Sequence, residues 1–444
     1  MKQVVIIGNG MVGYKFCEKF VAHKSSGQYH LTVIGEEIRP AYDRVHLSEY
    51  FEGKSPDDLC LASRAWYQEK GIDLHCDELV IRIDRLKKQV LTNKGKSYPY
   101  DKLILATGST PFVPPIEGFN KKGVFVYRTI EDLKAIEGYA KNIGRQHKAK
   151  AAVLGGGLLG LEAAKAVRDL GLEPHVIEFA SRLMPRQLDD DGASVLKEVL
   201  EQMGLHIHLN KNTRQVEGNG RMTQLSFADG ALLQAQMLII SAGIRPRDDL
   251  ARGCNLSVGP RGGITVNDQM LSSDPDIYAI GEVALYKDMI YGLVAPGYEM
   301  AQVAANQILG NDVRMADKVD MSTKLKLIGV DVATFGDPLI QNQETRTIAF
   351  VDRFKKTYKR VNVSKDGNNL LGGILVGDAK DYNMLLQITQ NSMALPANPE
   401  DLILGQRGEN NDMGSVMDLP ETASICSCEN VTKSEICEAV SSGA

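Results

Sequence analysis

The sequence predicts an α/β chain with two nested doubly wound domains and, after them, an antiparallel α+β domain. Three observations predict it. A unit of apolar strand, glycine-rich turn and Ala/Leu-rich helix occurs near the N-terminus and again in mid-chain. Strand-like and helix-like segments alternate around both copies, which argues for parallel sheets. From about Lys324 the texture changes to short alternating segments with a hairpin turn signal at Lys365-Asp366-Gly367.

The first copy is QVVIIGNGMVGYKFCEKF, with Gly8, Gly10 and Gly13 between a strand and a helix. Small residues there let the backbone turn tightly and let a pyrophosphate approach the helix N-terminus, where free N–H groups and the helix dipole favour negative charge. The next strand, at residues 30–35, leads to Glu36, 23 residues beyond Gly13, close to the distance of an acid that accepts hydrogen bonds from a ribose. The second copy is KAAVLGGGLLGLEAAKAV, with Gly155, Gly157 and Gly160, and its acid is Glu178. A carboxylate there accepts bonds from ribose hydroxyls and repels a 2′-phosphate, so NADH is favoured over NADPH, while Arg182 could soften that preference. Two such sites in one chain are explained simply if one holds a fixed flavin and the other exchanges a nicotinamide. The whole then reads as Rossmann-like FAD- and NAD-binding domains, one nested in the other.

Further strands are expected at residues 89–92, 102–106, 124–127, 236–241 and 277–280, and helices at 194–203 and 301–309. The segments after Lys324 are closed by a helix near 381–390, and residues 396–424, with scattered Pro, Asn, Asp and Gly, read as a linker.

Composition narrows the function. The chain has 444 residues, enough for two to four domains, and 43% apolar content fills their cores. A net charge of -5 speaks against a nucleic-acid partner. No apolar run reaches membrane-span length without Gly or charge, and Met1-Lys2-Gln3 runs directly into a strand with no room for a signal peptide. Seven cysteines, at 17, 60, 76, 254, 426, 428 and 437, form no regular framework. We therefore expect a cytoplasmic protein with reduced thiols.

Several segments resemble the two-dinucleotide pyridine nucleotide–flavin reductases. DKLILATG, with Thr107 and Gly108, is similar to the segment that leads back from their first dinucleotide domain. DIYAIGE, ending in Gly281 and Glu282, is similar to their second FAD signature, whose acid holds a ribitol hydroxyl. SAGIRP, with Gly243, is similar to the return strand that ends their NAD domain. The resemblance implies a discontinuous FAD domain (residues 1–118 and 245–320), an inserted NAD domain (119–244) and an interface domain (321–395), often dimeric in that superfamily. AYDRVHLSEYF resembles a stretch of ferredoxin and rubredoxin reductases in which an arginine, here Arg44, contacts the FAD; Glu49 stands where their lysine is usual. Glu162 resembles the acid beside the nicotinamide in that branch. No CxxxxC pair follows the first helix, and Cys17, Cys60, Cys76 and Cys254 read as structural or inert.

Cys426-Ser427-Cys428 resembles the opening of a bacterioferritin-associated-ferredoxin-like [2Fe–2S] domain, here residues 425–444. Such a cluster needs four thiolates, so the pair is half of a site. The order of segments resembles the N-terminal FAD/NAD part of the large subunit of assimilatory NAD(P)H nitrite reductase, and also the electron-transfer subunit of assimilatory nitrate reductase. That implies hydride transfer from NADH to FAD with no obligatory acid–base residue, then single electrons to [2Fe–2S], [4Fe–4S] and sirohaem centres of a longer parent. The competing readings are a ferredoxin or rubredoxin reductase serving a small carrier, a thiol-free NADH oxidase, and a redox-responsive interaction flavoprotein.

Overall fold

A computed structural model describes residues 1–144, 149–405, 419–426 and 431–443. The chain falls into two units. The first comprises Met1–Phe112, Arg128–Glu131 and Gly243–Val319, and the second Val113–Tyr127, Asp132–Ala242 and Asp320–Ala444.

In the first unit, Val4, Val5, Ile6 and Ile7 are all buried, as a strand covered on both faces must be. They lie at the centre of a five-stranded parallel sheet ordered Ile277–Ala279, Lys102–Leu105, Lys2–Ile7, Tyr29–Ile34, Ile72–His75. The chain progresses outward in opposite directions from the central strand, so a crevice opens beyond the carboxyl ends of Lys2–Ile7 and Lys102–Leu105. Helices Met11–Val21 and Val294–Ile308 pack on each other, and a Cβ at Gly297 would come within 2.8 Å of Val12 Cγ2. The second of these helices starts well before the expected 301. Pro296 and Gly297 look like breakers in sequence, but a proline in the first turn forfeits no intrahelical bond, and the glycine is what admits the neighbouring helix.

The second unit repeats the arrangement with a parallel sheet ordered His206–His208, Glu173–Ile177, Lys150–Leu154, Met237–Ile240, Val124–Val126. Each unit also carries a three-stranded antiparallel meander, Val80–Asp84, Gln89–Thr92 and Ser97–Pro99 in the first, Thr213–Glu217, Gln224–Phe227 and Leu232–Gln234 in the second. Of these six strands only Gln89–Thr92 is visible in the sequence pattern; the others are short, polar and half exposed.

The antiparallel sheet expected after Lys324 is present, in the order Thr323–Leu327, Val330–Gly336, Leu370–Val376, Thr357–Ser364, Thr345–Asp352. Gly367, at φ +81°, makes the predicted hairpin turn. Helix Tyr382–Gln390 buries Leu385 and Leu386 against Phe335, Val361 and Leu375. Asp401–Leu404 is helical, and Leu402 and Ile403 belong to this same core. That part of the segment expected as a linker is therefore packed; the polar residues around two adjacent apolar ones conceal it. Tyr358 and Arg360 both reach Asp189 Oδ2, at 2.5 and 2.7 Å, while Asp189 Oδ1 caps helix Asp190–Gln202 by accepting from the Gly192 amide.

Strand Ser424–Cys426 pairs with Val431–Thr432, and helix Lys433–Ser441 follows, opened by a Thr432/Glu435 capping box. Cys428 lies outside the described residues, so the half-site expected with Cys426 has no geometry to report. Among the described residues no helix is long and apolar enough to cross a membrane.

Candidate functional site

The first glycine turn leaves the Lys2–Ile7 strand with Gly8 at φ +110°, and a Cβ there would collide with the Ala106 carbonyl on the opposite side of the crevice. Gly10, which caps helix Met11–Val21, has open space where its Cβ would stand, no side-chain cap and no acid in the following turn. The helix therefore presents uncapped N–H groups and an unopposed dipole to a vacant approach, the requirement of a pyrophosphate. Tyr67 donates to Asn9 Oδ1 at 2.8 Å and holds the turn from below.

Around this turn the structure gathers Glu36, Arg44, Thr107, Gly108 and Glu282 with partners that the sequence did not single out. Glu36 follows Gly35 at the end of its strand and is paired with both Nη atoms of Arg247, the second at 2.7 Å. Hydrogen bonding to that guanidinium, against the opposing effect of burial, holds its carboxyl below the ordinary range. The backbone of Arg247 in turn accepts from Thr107 Oγ1 at 2.8 Å and donates to the Gly108 carbonyl at 2.9 Å. Arg44 lies over the Tyr42 ring, pairs with Glu37, and donates to the Arg128 carbonyl at 2.9 Å. Glu282 Oε2 accepts from Ser109 Oγ and from Arg128 Nη2, both at 2.6 Å, so the acid expected at a ribitol is fixed from two sides. Gly281 takes φ +75° against Val12. Ser109, Arg128 and Arg247 were missed because they are brought in from the ends of other strands; only their position just after a strand or in the RPR triplet hints at them.

The second turn repeats the first. Gly155 has φ +118° and a Cβ there would strike the Ser241 carbonyl; Gly157 caps helix Leu158–Asp169 and faces open space; a Cβ on Gly160 would strike the Gly155 carbonyl. The two acids differ in how they are held. Glu178 accepts from the backbone N–H groups of Gly156 at 2.6 Å and of Ala180 at 2.7 Å, and among the described residues no guanidinium pairs with it. Arg182 is turned away, donating to the Leu188 carbonyl at 2.9 Å and to Asp190 at 3.2 Å. Glu162 lies one turn into the helix, half-buried, and within electrostatic reach of Tyr127, whose hydroxyl is pushed up by burial first and by Glu162 second. Gly243, at φ +108°, accepts from the Phe112 amide at 2.8 Å and falls in the first unit, beside the paired strands Ser109–Pro111 and Ile244–Pro246.

Four of the thiols are held in their protonated form by burial. Cys17 is fully buried in the first helix and burial pushes it up to about 12; Cys60, Cys76 and Cys254 are raised by the same cause. Glu49, where a lysine was expected from the resemblance, pairs with Lys54 at 2.6 Å.

Comparison with known proteins agrees with this geometry. Residues 2–307 match the family model of the pyridine nucleotide-disulphide oxidoreductases, and residues 322–393 match that of the rubredoxin NAD+ reductase C-terminal domain. The chain is 49% identical to the nitrite reductase [NAD(P)H] large subunit of Klebsiella oxytoca over 99% of this chain and 46% of that protein. It is 47% identical to the nitrite reductase (NADH) large subunit of Escherichia coli over 99% of this chain and 52% of that protein. The chain thus spans about half the length of these curated relatives. Among solved structures, the NADH:rubredoxin oxidoreductase of Clostridium acetobutylicum superposes with a TM-score of 0.73 at 26% identity, covering 91% of this chain and 99% of that one. On the fold, the two matching turns and the family match over residues 2–307, the chain belongs to the pyridine nucleotide-disulphide oxidoreductases.

Proposed function

We propose that this chain is the FAD-containing, NADH-oxidising electron-transfer module of an assimilatory nitrite reductase, with FAD at the first glycine turn and NADH at the second. The observation that carries the reading is the repeated cradle: Gly10 and Gly157 each open an uncapped helix N-terminus, and the carbonyls of Ala106 and Ser241 close on Gly8 and Gly155 in the same way. Both cradles fit a dinucleotide pyrophosphate, since a side chain at either open position would occupy its approach.

When bound, FAD would supply a hydride acceptor that can also give up electrons one at a time. The chain supplies position and charge. In the FAD part, residues 1–118 and 245–320, Gly8, Gly10 and Gly13 admit the pyrophosphate, Glu36 faces the adenosine ribose, Thr107, Gly108 and Gly281 shape the crevice, and Arg44 contacts the cofactor. Glu282, oriented by Arg128 and Ser109, accepts from a ribitol hydroxyl. In the NAD part, residues 119–244, Gly155, Gly157 and Gly160 admit the second pyrophosphate. Glu178, already oriented by two amides, keeps lone pairs for the ribose 2′- and 3′-hydroxyls and repels a 2′-phosphate. Glu162, in the helix that follows this turn, would contact the nicotinamide. No side chain has to move a proton.

Residues 321–395 are assigned as the interface domain of a homodimer, and the compartment as cytoplasmic. Nitrite reduction, the [2Fe–2S] cluster that Cys426 and Cys428 would half-ligate, the [4Fe–4S] cluster and the sirohaem are assigned to the parts of the nitrite reductase relatives that this chain does not span. The match of residues 322–393 favours one second reading, a reductase for a separate small carrier. The purified chain should carry FAD, bleach on anaerobic addition of NADH and reduce ferricyanide without reducing nitrite. A chain that takes up no flavin, or that prefers NADPH tenfold, overturns the proposal; turnover that requires added rubredoxin selects the second reading.

A further inference from the structure

On the outer edge of the second parallel sheet, two adjacent strands present Glu-x-His and His-x-His. Strand Glu173–Ile177 carries Glu173 and His175, strand His206–His208 carries His206 and His208, and His175 is in register with His206. Side chains two apart share a face of a strand, so all four groups project to one side of the sheet. Their donors converge. His175 Nε2 is 3.0 Å and His206 Nε2 3.3 Å from Glu173 Oε1, and the donor atoms of these three residues all lie within 4.8 Å of one another.

We propose that Glu173, His175 and His206 bind a divalent transition-metal ion of the zinc class, with His208 orienting His175. Zinc takes imidazole nitrogen and carboxylate oxygen at about 2.0–2.2 Å, and neighbouring ligands of a tetrahedral shell are then about 3.3–3.6 Å apart. The two imidazole nitrogens stand 3.0 and 3.3 Å from Glu173 Oε1. Three protein donors leave a fourth position for water. The other nitrogen of His175, Nδ1, is 3.0 Å from His208 Nε2, the outer-shell contact that fixes which ring nitrogen faces an ion. The rings of His175 and His206 are stacked, 4.5 Å between centroids. Both cannot aim at one ion in that pose, so binding turns His206, which is 52% exposed and whose χ2 is a broad torsion. Lys150 Nζ, 3.4 Å from the Glu173 carboxylate, is the competing cation. The site stands at the start of the strand that ends beside Glu178, about 10 Å from His175 at roughly 3.3 Å per residue, so it is separate from the nucleotide turn.

The test is a calorimetric titration of the full chain with Zn2+, repeated with Co2+ by visible absorption. Cys426, Cys428 and Cys437 are replaced by serine so that C-terminal thiolates do not compete. One equivalent should bind, and Co2+ should give d–d bands without sulfur charge-transfer absorption. His206→Ala should abolish stoichiometric binding, His208→Ala should weaken it about tenfold, and Lys150→Gln should tighten it. That last gain distinguishes loss of a ligand from loss of fold. No stoichiometric binding, or a His206→Ala chain that binds as its parent does, overturns the site.

Discussion

Glu178 Oε2 accepts the Gly156 amide at 2.6 Å, so the acid at the end of one strand is tied to the glycine turn at the end of the next. Among the described residues the carboxylate is held by backbone amides rather than by a counter-ion, which leaves its charge available to a ligand. Replacement by Ala should raise the KM for NADH about tenfold or more, the worth of a hydrogen bond to a charged group at about 1.5–3 kcal/mol. It should also narrow the preference over NADPH, with kcat little changed. Ferricyanide turnover with the two nucleotides measures both.

Gly155 and Gly157 are two residues apart but should respond differently to alanine. At Gly155 a Cβ meets the Ser241 carbonyl in a left-handed backbone, so Gly155→Ala should lower Tm by many degrees or prevent folding. At Gly157 nothing stands in the way, so Gly157→Ala should fold with nearly unchanged Tm and lose NADH affinity. Thermal melts beside nucleotide titrations separate the two.

Arg128 and Ser109 share Glu282 Oε2, and this pairing is expected to fix the acid for the flavin. Arg128→Met should reduce the FAD retained through gel filtration, and Ser109→Ala should do so more weakly. Equal flavin content in all three chains would remove Glu282 from the proposed site.

Arg360 is nearly fully buried and its carboxylate partner is Asp189. Asp189→Ala should cost about 3 kcal/mol, because a buried charge is left without its partner, and the helix that Asp189 caps frays as well. Tyr358→Phe removes only the hydroxyl donated to the same carboxylate and should cost about 1 kcal/mol. Urea unfolding gives both values.

Glu78 is buried and accepts from Thr92, Tyr98 and Lys96 at 2.8, 3.0 and 3.1 Å. Burial alone would raise its carboxyl, but the three donors outweigh burial and bring it below the ordinary value of 4.5. The folded state thus binds its proton less readily than the unfolded state. The stability it contributes is complete above 4.5 and is lost as pH falls through the lowered folded value. Glu78→Gln should flatten the acid limb of a Tm-against-pH profile below that point and leave its slope near neutrality unchanged.

Much of the site was legible because its parts are local. A strand, a Gly-rich turn and a helix are contiguous, and so Gly8, Gly10, Gly13 and Gly155, Gly157, Gly160 could be placed from spacing alone, with an acid at the end of each following strand. The antiparallel domain and its Lys365-Asp366-Gly367 turn were legible for the same reason. Short polar meander strands and the packed Asp401–Leu404 turn were not, because their pattern is weak and they are stabilised by neighbours remote in sequence.

By itself the sequence determined the two glycine cradles, the acids Glu36 and Glu178, and the order of the domains, since each follows from hydrophobic period and turn chemistry within a few dozen residues. Only the tertiary structure decided how those acids are held. Glu36 is claimed by Arg247 and Glu178 by two backbone amides, and Glu282 is gripped by Arg128 and Ser109. It also brought Glu173, His175 and His206 together at one sheet edge. Apart from Ala180 and His175, each two residues from its acid, these partners come from other strands, from 22 residues away for Gly156 to 211 for Arg247, and are set by strand order and register.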